Sequence, residues 1–219
     1  MAKYILVTGA NKGIGLAIVT RCLRDHEDTR LILGCRSLER AEKARDGLVE
    51  SGINSERVSL VQLDTGDTVS CQSAAKRCAE KLGGCKMYAV VNNAGIGTGE
   101  LAEVLNVNTR GPHRVTEAFL PLLDTAQGRI VNISSGAAPK AVEASSEARQ
   151  RFFVDPSVTW TQIDAVVNEA LTVGLDGFEA AGLGKALGGY GLSKALLNSY
   201  TMSLAREHPT LKINACSPG

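Results

Sequence analysis

Short apolar runs alternate with longer amphipathic stretches along most of this chain. The runs show little polar alternation, which is typical of strands covered on both faces in a parallel sheet. They lie at 4–8, 30–34, 58–63, 88–92, 129–133 and 211–215. The stretches between them have helical spacing and lie at about 13–26, 37–51, 68–82, 100–123 and 189–207. This alternation predicts an α/β fold in a single domain, with a doubly wound parallel sheet and right-handed crossovers.

One segment interrupts the alternation. Residues 136–189 form a stretch of 54 residues where a short loop would complete the fold. Within it, Thr161-x-x-Asp164 is typical of a helix start, and apolar residues then recur at helical spacing. These residues are Ile163, Val166, Val167 and Leu171. The pattern predicts a helical insertion with its own amphipathic helix rather than a second domain.

Length and composition limit the classes of protein that fit. A chain of 219 residues is most simply one domain with a large core. A net charge of +1 gives no field to recruit nucleic acid or an anionic membrane, so neither partner is expected. No apolar run approaches the ~20 residues of a spanning helix, and Met1-Ala2-Lys3 leads directly into a strand, so no signal peptide is expected. The six cysteines form no Cys-x-x-Cys pair and no His/Cys cluster, which predicts a reduced, cytoplasmic protein without a metal site.

A glycine-rich turn joins the first strand to the first helix. Gly9 allows a sharp turn, and Gly13 and Gly15 let the backbone approach a ligand without an intervening Cβ. Backbone amides at the start of a helix form a favourable site for a pyrophosphate. Many strand–helix turns use glycine for geometry alone, but this one follows the first strand, where dinucleotide binding requires it. We therefore expect a Rossmann-type dinucleotide-binding domain over residues 1–219.

The end of the second strand predicts which dinucleotide is bound. An NAD site would place a carboxylate here to hold the ribose hydroxyls, whereas this chain has Gly34-Cys35-Arg36. Arg36 offers a planar fork to a 2′-phosphate, and Lys12 adds a second positive charge, so NADP(H) is the expected cofactor. The alternative is that both side chains are solvated surface cations.

Two further strand ends carry candidate cofactor contacts. Asp64 ends the third strand and is placed to accept a hydrogen bond from the adenine amino group, although a simple turn residue would look much the same. Asn92-Asn93-Ala94-Gly95 ends the fourth strand, where asparagines brace neighbouring backbone and small residues admit the adenosine ribose. Ligands of doubly wound sheets bind outside the carboxyl ends of the strands, where both segments lie.

Tyr190 and Lys194 are four residues apart and therefore share one face of a helix. A carbonyl that receives a hydride needs a proton donor, and the ammonium of Lys194 stabilises the phenolate that forms when the phenol gives up its proton. Ser135, at the end of the fifth strand, supplies a second hydroxyl to polarise the carbonyl oxygen. Asn108 falls mid-helix, where asparagine is a poor helix former. It either holds a water that passes protons to Lys194 or is an exposed polar position.

Taken in order along the chain, these motifs resemble those of the short-chain dehydrogenase/reductase family over essentially the whole sequence. The motifs are Thr8-Gly9-x-x-x-Gly13-x-Gly15, Asn92-Asn93-Ala94-Gly95, Asn108, Ser135, Tyr190-x-x-x-Lys194 and Ser217-Pro218-Gly219. The run from Gly9 to Ile18, the basic Arg36 and the long insertion most resemble the NADPH-dependent carbonyl reductase branch. The resemblance implies reduction of aldehydes, ketones or quinones, with pro-4S hydride delivery.

The resemblance also implies roles for individual residues. Ser135, Tyr190 and Lys194 would form the catalytic triad with Asn108 as its fourth member, and Ser135 rather than Ser134 matches the family's catalytic position. Tyr190 would donate the proton. Lys194 would adjust the acidity of the Tyr190 phenol and hold the nicotinamide ribose. The implied cofactor-binding residues are Gly9, Asn11, Lys12, Gly13, Ile14, Gly15, Arg36, Asp64, Asn92, Ala94, Gly95, Tyr190, Lys194, Pro218 and Gly219.

The chain departs from the family pattern at two places. The segment from Gly95 to Asn108 is several residues shorter than usual, which affects the register of Asn108. The sequence stops at Gly219, so the C-terminal substrate loop and last strand of the family are expected to be absent.

Two other functions stay open. One is a sugar-nucleotide epimerase or dehydratase, whose Gly-x-x-Gly-x-x-Gly turn and large C-terminal domain are missing. The other is a truncated, non-catalytic NADP(H)-binding sensor or scaffold. The end of the sequence at Gly219 favours it, whereas the intact Ser135, Tyr190 and Lys194 argue against it.

The insertion also bears on the oligomeric state. Many members of the family pair through the outer faces of the helices that correspond to 100–123 and 189–207. The apolar stripe of the insertion must be buried, and the nearest uncovered apolar surface is the face that a partner would use. This argument, together with likeness to carbonyl reductases that carry the same insertion, predicts a monomer whose only partner is a small carbonyl substrate.

Overall fold

The computed structural model describes residues 2–218. Over these residues it contains six strands, each within one residue of its predicted bounds: β1 (Lys3–Thr8), β2 (Thr29–Cys35), β3 (Val58–Gln62), β4 (Met87–Asn92), β5 (Arg129–Ile133) and β6 (Lys212–Cys216). They form one sheet in the order β3-β2-β1-β4-β5-β6, in which β1 is parallel to β2 and β4, and β2 is parallel to β3. The predicted α/β class and parallel sheet are therefore confirmed.

Nine α-helices occur in the described part of the chain. They are α1 (Gly13–Asp25), α2 (Leu38–Glu50), α3 (Thr68–Leu82), α4 (Leu101–Leu105), α5 (Gly111–Phe119), α6 (Ala137–Glu143), α7 (Glu147–Val154), α8 (Trp160–Gly177) and α9 (Gly188–Glu207). The predicted bounds of α1, α2, α3 and α9 hold within one residue. Side chains cap the starts of α2 and α3, whereas α1 and α9 have no side-chain cap. No helix within residues 2–218 is long and apolar enough to cross a membrane.

The stretch predicted as helical over 100–123 is helical from Leu101 to Leu122, but it is not one continuous α-helix. A π-helical segment, Asn106–Arg110, separates α4 from α5. Pro112 has no N–H to donate to the carbonyl of Asn108, so one α-helical hydrogen bond is missing at the start of α5. The backbone adopts the wider i→i+5 bonding of a π-helix instead. The proline was the available sequence signal for this break.

Contacts within the chain group it into two compact units. The first comprises residues 1–94 with 114–131, and the second comprises 95–113 with 132–219. Two of the three boundaries fall inside α5 and β5, and the third follows Ala94, after the end of β4. In the first unit, α1, α2 and α3 pack against strands of the sheet. Fully buried strand residues of this unit include Leu6, Val7, Leu31 and Leu33.

The insertion in the second unit contains three helices, α6, α7 and α8, rather than the one predicted. The predicted start of α8 at Thr161 is also wrong, because Thr159 caps this helix. Gln162 completes the capping box by accepting from the N–H of Thr159 at 2.8 Å. α8 packs against α4 and α9 and buries most of the predicted apolar stripe. The buried members are Ile163, Val166 and Val167.

Aromatic and polar contacts hold α8 in place within the second unit. The ring of Trp160 stacks on that of His113 with 3.7 Å between the centroids. Arg110 donates to Asp164 at 2.6 Å and to Asn168 at 2.7 Å. Because Arg110 ends the π-helical segment, these two bonds connect the insertion to the same segment that carries Asn108.

Candidate active site

The glycine turn between β1 and α1 uses its three glycines in different ways. Gly9 and Gly13 have φ of 64° and 54°, in the left-handed region that favours glycine. A Cβ on Gly13 would have no neighbour within 4 Å, so this part of the turn is open to a ligand. A Cβ on Gly15 would lie 2.5 Å from Asn93 Nδ2, so Gly15 is needed for packing of the turn itself. No side chain caps the first N–H groups of α1, and such groups suit a pyrophosphate.

Thr8 and Asn93 brace the turn against the end of β4. Thr8 Oγ1 accepts hydrogen bonds from the N–H groups of Asn93 at 3.0 Å and Ala94 at 2.9 Å. Asn93 Nδ2 returns a bond to the carbonyl of Thr8 at 2.8 Å. The neighbouring Asn92 is buried and donates to Thr116 at 3.3 Å. The bracing role of Thr8 was missed in the sequence, where its place between β1 and Gly9 was the available signal.

Exposed cations lie in the glycine turn and after β2 in the first unit. Arg36 and Lys12 are exposed, and no carboxylate within residues 2–218 forms an ion pair with either of them. Arg40, one turn into α2, is a further exposed cation that the sequence reading did not assign. It lines a cavity of about 500 Å³ together with Asn11 and Lys43. The charge and the open glycine turn fit a phosphorylated dinucleotide.

Ile14 and Asp64 are two further candidate cofactor contacts in this unit, and only Asp64 is engaged in a hydrogen bond within its own turn. Ile14 is exposed on the first turn of α1. Asp64 is half-buried and its Oδ1 accepts from the N–H of Gly66 at 2.9 Å. One carboxylate oxygen of Asp64 therefore closes the turn after β3.

Lys194 is a buried amine in the second unit, on the first turns of α9. Its side chain is enclosed, with the residue 5% exposed, and Nζ donates to the carbonyl of Ile133 at 2.7 Å. Nζ lies 5.8 Å from the centre of the Tyr190 ring. Burial lowers the pKa of Lys194 from 10.5 to about 8. The structure thus places the amine beside the phenol, as the spacing of the two residues predicts.

Burial of this amine predicts a stability that depends on pH. The unfolded chain binds more protons than the folded one between pH 8 and 10.5, so the free energy of unfolding should rise across that window. Lys194→Met should lack this rise and should be more stable near neutral pH by up to roughly 3 kcal/mol. Urea denaturation across the window measures the difference between the two proteins.

Lys140→Met, which removes an exposed lysine on α6, is the matched control and should keep the pH dependence of the unmodified chain. If the difference in free energy of unfolding between the unmodified chain and Lys194→Met stays constant with pH, the pKa of Lys194 is not lowered.

Asn108 is fully buried, with 0% exposure, so the alternative of an exposed polar position is wrong. Its Oδ1 accepts from the N–H of Ile96 at 2.9 Å, and its Nδ2 donates to the carbonyl of Ile96 at 2.8 Å and to Ser193 Oγ at 3.1 Å. Both amide hydrogens are used within the protein, so a water at this residue would have to contact one of its oxygens. Ser193 Oγ in turn donates to the carbonyl of Tyr190 at 2.8 Å. Ile96 and Ser193 were not assigned from the sequence.

The two serines after β5 have different surroundings. Ser134 is buried, and its hydroxyl has no hydrogen-bond partner among the described residues. Ser135 is half-buried, and its Oγ accepts from the N–H of Ala137 at 3.1 Å. Ser135 follows Ile133, whose carbonyl holds the buried amine, by two residues. The serine and the amine are therefore brought to the same end of β5.

The remaining assigned residues of the second unit lie at the surface. Gly95 and Pro218 are exposed, and Gly219 lies outside the described residues. Within residues 2–218, no group of three His, Cys, Asp or Glu side chains is placed to hold a metal ion.

Comparison with known proteins decides the family. The family model described as short chain dehydrogenase matches residues 3–147. The chain belongs to this family. The resemblance drawn from the motifs is thereby confirmed. This short-chain dehydrogenase is 32% identical to (+)-neomenthol dehydrogenase of Arabidopsis thaliana over an alignment of 247 positions, gaps included. The alignment covers 99% of the chain and 82% of the relative.

Solved structures agree with this assignment. Menthone neomenthol reductase from Mentha piperita is 27% identical with a TM-score of 0.88, over 100% of this chain and 90% of that one. Salutaridine reductase from Papaver somniferum is 28% identical with a TM-score of 0.86, over 99% and 86%. NADPH-bound carbonyl reductase from chicken fatty liver is 26% identical with a TM-score of 0.68, over 100% and 76%. The short-chain dehydrogenase described here is therefore an oxidoreductase, as predicted.

Proposed function

We propose that this short-chain dehydrogenase reduces carbonyl compounds, namely aldehydes, ketones or quinones, with hydride from NADPH. Its catalytic residues are Asn108, Ser135, Tyr190 and Lys194. The observation that carries the proposal is the buried amine of Lys194, held by the carbonyl of Ile133 at 2.7 Å and 5.8 Å from the centre of the Tyr190 ring. A cation in this place stabilises the phenolate that remains after a phenol has given up its proton.

The side chains divide the chemistry between them. NADPH, when bound, supplies a hydride to the carbonyl carbon. As the new C–H bond forms, electrons of the C=O bond move to oxygen, and Tyr190 transfers its phenolic proton to that oxygen to give the alcohol. Ser135 donates a hydrogen bond to the same oxygen, because its contact to Ala137 uses only a lone pair of the hydroxyl. Lys194 would hold the nicotinamide ribose of the bound cofactor, and its ammonium stabilises the phenolate until solvent returns the proton.

NADPH is proposed over NADH because of two exposed cations, Arg36 after β2 and Lys12 in the glycine turn. Arg36 stands where an NAD site would place a carboxylate, and neither Arg36 nor Lys12 is engaged in an ion pair among the described residues. The NADPH-bound carbonyl reductase among the similar structures supports this choice. The rest of the proposed cofactor site consists of Gly9, Asn11, Gly13, Ile14, Gly15, Asp64, Asn92, Ala94, Gly95, Pro218 and Gly219.

Consumption of NADPH in the presence of a panel of aldehydes, ketones and quinones tests the proposed function. We expect at least one carbonyl to be reduced, and NADH to be the poorer cofactor at equal concentration. The names of the relatives, neomenthol dehydrogenase and salutaridine reductase, support the inclusion of cyclic ketones in the panel. Tight NADPH binding without reduction of any carbonyl would instead favour a non-catalytic NADP(H)-binding protein.

We further propose that the protein is a cytoplasmic monomer. All six cysteines are free thiols in the structure, which suits a reducing compartment. α8 packs against α4 and α9, and we infer that it covers the helix faces through which a partner would otherwise bind. Replacing residues 140–186 with a short loop should expose that apolar face and promote dimers. Light scattering coupled to size exclusion measures both proteins.

Point variants on α8 provide a matched comparison. Val167→Asp places a charge at a buried position and should loosen α8 and raise the dimer fraction, while Ala165→Asp, at an exposed position two residues away, should not. A dimer found for the unmodified chain would refute the monomer proposal.

A further inference from the structure

Two leucine side chains lie beside the backbone that leads into Tyr190. The two residues before the tyrosine are Gly188 and Gly189, which begin α9. A Cβ on Gly189 would lie 2.5 Å from Leu101 Cδ1, and a Cβ on Gly188 would lie 3.7 Å from Leu175 Cδ2. The missing side chains of the two glycines therefore leave room for apolar groups close to the tyrosine.

Leu187, the residue before these glycines, is unfavourably placed by two measures. Its φ of 61° makes it the one non-glycine residue within 2–218 in the left-handed region, where leucine is disfavoured. It is also 56% exposed, and Leu175 is 48% exposed. Leu175 follows Gly174, whose φ of 63° interrupts α8 and redirects the chain.

Folding alone does not account for this arrangement. A half-exposed leucine contributes little apolar burial, and asparagine or glycine would occupy the left-handed position with less strain. Unfavourable backbone and exposed apolar surface at one residue are typical of positions that contact a ligand. The position of Leu187, three residues before the proposed proton donor, indicates which ligand that is.

We propose that Leu101, Leu175 and Leu187, here called the leucine rim, bind the apolar body of the carbonyl substrate. The inference rests on the proposed function. Tyr190 fixes the carbonyl oxygen, so the carbon skeleton attached to it extends into the reach of side chains around the start of α9. The leucine rim then favours ketones that carry a bulky aliphatic group over compact ketones with the same reacting carbonyl.

A pair of ketones that share a ring and differ in one aliphatic group tests this specificity. We compare kcat/KM for 4-tert-butylcyclohexanone and cyclohexanone, with NADPH, in the unmodified chain and in Leu187→Asn. Asparagine tolerates the left-handed region, so the variant removes apolar surface without adding backbone strain. The preference for the tert-butyl ketone should fall by about tenfold, the lower end of the effect of a lost apolar contact. Leu187→Gly provides the same test should the asparagine variant not fold.

Val69→Asn is the matched control, because Val69 is an apolar residue on α3 that is 68% exposed and should leave the preference unchanged. If Leu187→Asn and the unmodified chain reduce both ketones with the same preference for the tert-butyl ketone, the leucine rim does not bind the substrate. The reductase proposal would then still stand. Failure of the unmodified chain to reduce any carbonyl would overturn both.

Discussion

Tyr190→Phe should lower kcat by ~10²–10⁴, the contribution expected of a general acid, and leave the affinity for NADPH unchanged. Phenylalanine keeps the ring beside Lys194 and removes only the hydroxyl. The backbone of α9 is also preserved, because Ser193 contacts residue 190 through its carbonyl and not through its side chain. Steady-state kinetics with the best carbonyl of the panel measures kcat, and fluorescence titration measures cofactor affinity.

Tyr88→Phe is the control for loss of a tyrosine hydroxyl elsewhere. Tyr88 lies on β4, where its ring contacts Lys3 and Arg129, and phenylalanine retains both contacts. We expect its kcat to match that of the unmodified chain. Should Tyr190→Phe also keep full activity, the proton donor is another group.

Arg36→Asp should weaken NADPH binding by roughly tenfold to a hundredfold and shift the preference toward NADH. This range corresponds to the loss of a charge-assisted hydrogen bond to the 2′-phosphate, worth ~1.5–3 kcal/mol. The introduced carboxylate also repels the phosphate and is placed to bind the free ribose hydroxyls. The measurement is the ratio of the dissociation constants for the two cofactors.

Arg45→Asp makes the same charge change further along α2, where the arginine pairs with Asp46. Arg45→Asp should change the ratio of the two dissociation constants little, because it alters the general electrostatic field without removing a direct contact to the cofactor. Equal ratios for Arg36→Asp and the unmodified chain would show that the 2′-phosphate is recognised by other side chains, of which Arg40 is the first candidate.

The sheet was predictable because its determinants are local. Each strand is an apolar run ended by glycine or a polar residue, so that six runs gave six strands. The helices were predictable where apolar spacing and caps coincide, as in α3, which begins after the capping side chain of Asp67. At 100–123 the apolar spacing continues through Pro112, and the spacing alone concealed the break that a missing N–H imposes.

The sequence named candidate site residues but did not indicate their contacts. The order of motifs singled out Ser135, Tyr190 and Lys194, which stay a prediction, and no local pattern showed that Asn108 would be buried. Its partners are Ile96, 12 residues away, and Ser193, 85 residues away. Contacts of that separation depend on how α9 and the loop after β4 pack, which one sequence does not reveal. The packing of Gly15 against the side chain of Asn93 was also not predictable from the sequence, because the two residues are far apart along the chain.

Transfer of deuterium from labelled cofactor tests the central claim, hydride transfer to a carbonyl, most directly. NADPH deuterated at both positions of the nicotinamide C4 is incubated with the protein and a ketone that it reduces, and the alcohol is analysed by mass spectrometry. The account predicts one deuterium on the former carbonyl carbon, and little product in the same time with Tyr190→Phe. An alcohol without deuterium would contradict the account.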